Sequence, residues 1–209
     1  AQIHSLLDRG GLILGICNGF QALIKSGLLP YGRLGMVKED SPTLFRNDIG
    51  RHISRMVTTR VASVRSPWLS GMKEGDEFTV AISHGEGKFV ADEKMIEKLF
   101  ANGQVAFQYV NPFTEEVTME SPYNPNGSYY AIEGIVSPTG QILGKMGHTE
   151  RYEHNLFKNI DEELELHVFA GCHEAFGLVE TVAETGAHDA VADAEGDDLR
   201  FADVPRRLL

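Results

Sequence analysis

The stretch Leu12-Ile13-Leu14-Gly15-Ile16-Cys17-Asn18-Gly19-Phe20-Gln21 joins a short apolar run to a segment of helical character that reaches Leu29. The run from Leu12 to Ile16, entered through Gly10-Gly11, predicts a buried strand. The spacing of Phe20, Leu23, Ile24 and Leu28 predicts a helix with one apolar face, and Asn18 is a suitable cap for it. A strand, a sharp Gly-x-Cys-x-Gly turn and a helix form the sequence pattern of a nucleophile elbow, in which small residues on both sides relieve a strained backbone. The helix N-terminus places partial positive charge and free N–H groups beside the sulfur. On this reading Cys17 is a reactive thiolate. The competing reading is a small buried cysteine at a strand end.

Upstream, Ile3, Leu6 and Leu7 give Ala1 to Arg9 a helical spacing. Downstream of Pro30 the chain reads as loop-rich, followed by a strand from Ser54 to Val64 with imperfect alternation and a second strand from Phe78 to Ile82. That second strand ends in the glycine-rich turn Ser83-His84-Gly85-Glu86-Gly87. Asp92 to Asn102 predicts a short helix capped by Asp92, with Ile96, Leu99 and Phe100 on one face. A strand is expected at Val105 to Tyr109. Turn chemistry fills Ser121 to Ser128, and Tyr130 to Val136 with Ile142 to Met146 forms a hairpin across Pro138-Thr139-Gly140. A helix with Cys172 on its packing stripe is expected from Asp161 to Phe176. From 178 onward the composition turns to Ala, Glu, Asp and Gly, which reads as a weakly structured acidic tail.

The 209 residues, 42% of them hydrophobic, suit one α/β domain at 1–177 followed by that tail at 178–209. Two cysteines far apart in sequence indicate neither a disulfide framework nor a structural zinc site, and a reducing cytoplasm is the expected setting. No apolar run approaches the roughly 20 residues that span a bilayer, so no membrane partner is expected. The net charge of −11 argues against nucleic acid as a partner, although much of it lies in the acidic cluster Asp161 to Glu165 and in the tail.

A base and an orienting carboxylate for Cys17 are offered by Gly147-His148-Thr149-Glu150-Arg151, directly after the second hairpin strand. Residues i and i+2 of an extended chain share a face, which lets Glu150 approach the His148 imidazole while the ring faces a thiol. Standing alone, a His-x-Glu pair is more often a surface ion pair. Beside an elbow in a cysteine-poor chain it reads as the remainder of a triad.

The elbow with its downstream His148-x-Glu150 resembles the class I, triad-type glutamine amidotransferases. The narrower resemblance is to the glutaminase part of the phosphoribosylformylglycinamidine synthase family. It is carried by Ile13 to Leu23, Ser83-His84-Gly85-Glu86-Gly87-Lys88-Phe89, Tyr123 to Ser128 and Gly147 to Arg151, with similarity also across Asn47 to Trp68. The resemblance implies a flavodoxin-like α/β fold with a mostly parallel sheet flanked by helices. It implies glutamine as substrate, Cys17, His148 and Glu150 as catalytic residues, Asn18, Gly19, Gln21 and His84 about the substrate, and no metal. Freed ammonia would go to a synthetase domain or subunit that binds ATP and Mg and converts formylglycinamide ribonucleotide to the amidine. No phosphate-binding Gly-x-x-x-x-Gly-Lys-Ser/Thr loop occurs in this chain. Against the family pattern, the strands that precede the elbow are absent, which predicts an incomplete domain with an exposed apolar sheet edge. A non-catalytic scaffold of the same architecture and a cysteine hydrolase of the related superfamily are the alternative readings.

Overall fold

The computed structural model describes residues 2–151 and the strand Glu180–Val182. Helix α1 (Gln2–Asp8) ends at Gly10-Gly11, where the Gly11 N–H donates to the Leu6 carbonyl, and β1 (Ile13–Ile16) follows, buried on both faces. The elbow leads into α2 (Asn18–Ser26), which buries Gly19, Phe20, Leu23 and Ile24. The helix stops at Gly27, in the left-handed conformation at φ +84°, short of the Leu29 end expected from the sequence; the brief turn α3 (Leu28–Tyr31) follows.

The loop-rich stretch after Pro30 contains a strand that its composition did not betray, β2 (Thr43–Arg46), three of whose four residues are exposed. Strands β3 (Ile53–Val61) and β4 (Glu77–His84) form a long antiparallel hairpin. Burial alternates along β4 in the period of two that a half-buried strand requires. β4 runs through His84, and after a one-residue break at Gly85 the chain enters β5 (Glu86–Val90), which pairs antiparallel with β2 in a small second sheet. The expected glycine-rich turn at Ser83–Gly87 is therefore a crossing from one sheet to the other.

Helix α4 (Glu93–Ala101) begins as its sequence predicts, with the Asp92 carboxylate accepting from the Met95 N–H at 2.7 Å. Ile96 and Leu99 are buried, whereas Phe100 is exposed and meets the Tyr130 ring instead. β6 (Val105–Asn111), the short β7 (Glu116–Val117), β8 (Ile132–Val136) and β9 (Ile142–Lys145) complete the central strands, and β8 with β9 is the expected hairpin.

The main sheet runs β10-β1-β9-β8-β6-β3-β4, with β7 beside β6 and β10 at Glu180–Val182. Among the described residues only β10-β1 and β1-β9 pair in parallel, so the sheet is mixed rather than mostly parallel. A short turn, which can only return the chain antiparallel, joins β8 to β9, and the longer connection between Val61 and Glu77 brings β4 back antiparallel beside β3. β10 lies in the stretch expected to be weakly structured. Its register, Ile13 against Glu180 and Gly15 against Val182, pairs it in parallel with β1 on the side away from β9. The remainder of 152–209, including the expected helix at 161–176, Cys172 and the rest of the tail, lies outside the described residues. The sheet curls, because the His148 N–H beyond β9 donates at 2.8 Å to the Ala81 carbonyl on β4, the far edge strand. Among the described residues no helix is long and apolar enough to cross a membrane.

Candidate active site

Cys17 occupies the turn between β1 and α2 with φ +53° and ψ −105°, a conformation disfavoured for any side chain bearing a Cβ. The surroundings impose it. A Cβ on Gly15 would lie 2.7 Å and 2.8 Å from the backbone carbon and oxygen of Gly19, so the turn closes this tightly only with glycine at the first position. Cys17 itself takes the cap position of α2, and Asn18, expected as the cap, is the first helical residue with an exposed side chain. The Cys17 N–H donates to the Lys145 carbonyl at 2.8 Å, and its thiol donates to the Ser83 carbonyl at 3.7 Å.

His148 leaves the C-terminal end of β9, the parallel neighbour of β1. Its Nδ1 stands 2.5 Å from Glu150 Oε1. Glu150 lies in a single turn of 3₁₀ helix (Thr149–Arg151) rather than in the extended geometry expected, and that tighter rise still brings the carboxylate to the ring. Burial pushes the Glu150 carboxyl up, but the hydrogen bond and charge of His148, with its own backbone amide and Lys145, outweigh burial and hold it below the ordinary value. β4 spans both halves of the site. Its Ala81 carbonyl receives the His148 N–H and its Ser83 carbonyl receives the Cys17 thiol, and carbonyls two residues apart on one strand edge are about 7 Å apart.

His84, at the end of β4, is buried and has a defined tautomer. Asn47 Nδ2 donates to the carbonyls of His84 (2.8 Å) and Arg51 (3.3 Å), which turns Asn47 Oδ1 toward His84 Nδ1 at 3.1 Å. The proton therefore sits on Nδ1 and Nε2 carries a lone pair. Burial, then the charges of His148 and His52, lower His84 to about 4, so the ring is neutral at pH 7. Nε2 of His84 and Nε2 of His148 are both buried without a hydrogen-bond partner among the described residues.

Gln21 Nε2 donates to the Glu86 carbonyl at 2.8 Å, tying α2 to β5 and leaving its amide oxygen as the group open to a ligand. Gly19 is buried against Gly15. The Asn126-Gly127 turn is structural: Asn126 Nδ2 donates to the Gly87 carbonyl (2.8 Å) and to the Tyr109 hydroxyl (3.0 Å). Burial raises the Tyr109 phenol far above its ordinary value, and the charges of Glu133 and Cys17 add to that against the hydrogen bond from Asn126.

Sequence reasoning missed Asn47, Tyr109 and the pair Glu133 and Lys145. For the pair a signal existed, since Ile132-Glu133-Gly134-Ile135-Val136 and Ile142-Leu143-Gly144-Lys145-Met146 each carry one charge inside an otherwise apolar strand. Both side chains are fully buried, with Nζ 3.6 Å from Oε1. Among the described residues no group of three or more His, Cys, Asp or Glu is arranged to hold a metal ion.

A strained cysteine elbow after one strand, with a His-Glu pair just beyond the end of the parallel strand beside it, defines a class of α/β proteins, and the chain belongs to one of its families. Residues 1–174 match the CobB/CobQ-like glutamine amidotransferase domain, and the chain is a member of that family. The "Phosphoribosylformylglycinamidine synthase subunit PurQ" of Salinibacter ruber is 37% identical over 157 residues, covering 75% of this chain and 61% of the relative. The protein of the same name from Acaryochloris marina is 40% identical over 144 residues, 69% of this chain and 55% of the relative. The chain thus spans about three fifths of the length of the curated relatives it matches. The structure of PurLQS from Thermotoga maritima superimposes with a TM-score of 0.57 at 27% identity, over 81% of this chain and 64% of that one.

Proposed function

We propose that this chain is the glutaminase component of a phosphoribosylformylglycinamidine synthase, hydrolysing glutamine through Cys17, His148 and Glu150. The reading rests above all on the pairing of a cysteine held at φ +53° with a histidine whose Nδ1 is committed to Glu150, the two carried by adjacent parallel strands. Because Glu150 accepts at Nδ1, the neutral His148 ring offers a lone pair at Nε2, the atom that takes a thiol proton.

In the proposed cycle Cys17 Sγ attacks the side-chain amide carbon of glutamine while its proton passes to His148 Nε2. His148 returns that proton to the departing nitrogen, ammonia leaves, and water then splits the thioester to glutamate and the free thiol. The backbone N–H of Asn18, first in α2, faces the charge that develops on the amide oxygen and draws on the positive end of the helix. Gly19 lets the elbow close behind Cys17, the Gln21 amide oxygen accepts from the polar end of glutamine, and His84 Nε2 accepts an N–H of glutamine or ammonia. Ammonia is consumed by a synthetase domain or subunit that holds ATP and Mg and makes formylglycinamidine ribonucleotide. The setting is the cytoplasm, in keeping with two cysteines that lie far apart in sequence.

The test is intact-mass detection of a covalent adduct after exposure to an electrophilic glutamine analogue. A single adduct is expected, abolished by Cys17→Ala and slowed at least about 100-fold by His148→Ala. Absence of an adduct on folded wild-type chain, with and without a synthetase partner, would favour the scaffold reading.

A further inference from the structure

Gly147, the residue before His148, is gripped at both of its backbone polar atoms by buried charges. Its N–H donates to Glu133 Oε1 at 2.5 Å, and its carbonyl accepts from Lys145 Nζ at 2.8 Å. The next backbone group, the His148 N–H, is held by the Ala81 carbonyl at 2.8 Å. Three successive backbone groups leading into the histidine are therefore all held, the Gly147 carbonyl by the Thr149 N–H at 3.2 Å as well as by Lys145. Only glycine fits there, because a Cβ would lie 2.6 Å from Val80 Cγ2, 2.9 Å from Glu133 Oε1 and 3.0 Å from Lys145 Nζ.

Stability alone does not account for the pair. Removing two charges from water costs several kcal/mol per ion, and apolar residues of the same volume commonly replace such a pair without loss. The Lys145 Nζ to Glu133 Oε1 separation of 3.6 Å is longer than that of either bond to Gly147, so both groups satisfy the backbone before they satisfy each other. Hydrocarbon side chains in their place would fill the volume, leave the Gly147 N–H without a partner and leave its carbonyl with only the longer contact from the Thr149 N–H at 3.2 Å.

We propose that Glu133 and Lys145 are positioning residues that set the direction of the His148 ring by holding the Gly147 backbone on both sides. The functional consequence rests on the reading of His148 as the base for Cys17; the geometric claim does not. The pair touches neither reacting atoms nor substrate and acts only through Gly147. It keeps the ring where Nδ1 meets Glu150, and thereby keeps Nε2 as the basic nitrogen.

The experiment compares the full wild-type chain with Glu133→Leu/Lys145→Met, which strips both charges together and so leaves no lone buried ion, and with Glu133→Gln/Lys145→Met, which keeps an acceptor for the Gly147 N–H. Histidine-ring ¹⁵N NMR, with His148 assigned by His148→Ala, reads the tautomer. The rate at which iodoacetamide alkylates Cys17, followed by peptide mass to separate it from Cys172, reads the nucleophile. Wild type is expected to show one fixed Nδ1–H tautomer. In the Leu/Met variant it becomes a mixture and alkylation at pH 7 slows by about 10- to 100-fold, the scale of a small misplacement; the Gln/Met variant falls between. An unchanged tautomer in the Leu/Met variant overturns the proposal, and a lower melting temperature with an unchanged tautomer overturns it equally, as that is the mark of a merely structural pair. A lost tautomer with alkylation unaffected both there and in His148→Ala upholds the positioning role and removes His148 as the base.

Discussion

The two halves of the site are held by opposite means. Cys17 is fixed by its nearest neighbours in sequence: Gly15 and Gly19 touch, and the strain of the turn is stored within five residues. His148 is fixed from a distance, by Glu133 fifteen positions earlier, by Ala81 on another strand, and by Lys145 through the Gly147 carbonyl. A nucleophile at an elbow needs a rare backbone conformation, which small residues supply locally. A base needs an orientation, which the structure supplies with long-range polar contacts in a water-poor interior.

The sharpest way to break this contrast is to remove one charge at the histidine corner. Lys145→Met alone leaves Glu133 buried and unpaired and is expected to cost about 3–5 kcal/mol of unfolding free energy, measured by chemical denaturation. The double replacement that removes both charges should recover most of that loss. Next comes acid. With His84 lowered to about 4 from an ordinary 6.5, the unfolded chain takes up its proton first, so stability falls as pH drops from about 6.5 to about 4 and levels off below, by about 3 kcal/mol in all. Denaturation curves across that range check the slope, which His84→Gln should flatten.

At the elbow, Gly15→Ala forces a methyl against the Gly19 backbone and is expected to cost about 1–3 kcal/mol and to suppress Cys17 labelling, while leaving the acid slope of His84 in place. The smallest effect is a control remote from both halves. Asp92→Ala removes the cap of α4 for about 1 kcal/mol in thermal unfolding, with the Cys17 labelling rate unchanged. A large labelling effect there would mean that the two halves are not held independently of the rest of the fold.

The same contrast governs what the sequence disclosed. The elbow was legible because all of its determinants lie between Leu12 and Gln21 in one readable pattern. His148 and Glu150 were legible as a pair, though the conformation joining them, a 3₁₀ turn, was not, since two residues in a row carry no period. Asn47 went unread because its partners are backbone atoms elsewhere in the chain, which leave no residue-type signature, whereas Glu133 and Lys145, each a lone charge in an apolar strand, gave a signal that does not say which backbone group they hold. The strand β2 escaped for another reason: with one buried side chain in four it has too little apolar pattern to register. The mixed sheet follows in part from the β8–β9 hairpin, which the sequence disclosed, but that sign was overridden by the parallel architecture of the family the sequence resembles. The β10 strand shows the limit of composition, since its pairing depends on the register offered by β1 rather than on its own residues.

β4 serves as a ruler laid across the site. Its Ala81 and Ser83 carbonyls meet the His148 N–H and the Cys17 thiol, and its next residue, His84, hands the chain to the second sheet. Adding or deleting one residue there would turn every following side chain to the opposite face and move one of the two carbonyls off its mark. Length variation among relatives should therefore collect at places such as the β6–β7 tip, where Phe113 is 85% exposed, and be absent between Ala81 and Gly85. The fold can drift in size at its rim while the distance between its two reactive ends stays under strict count.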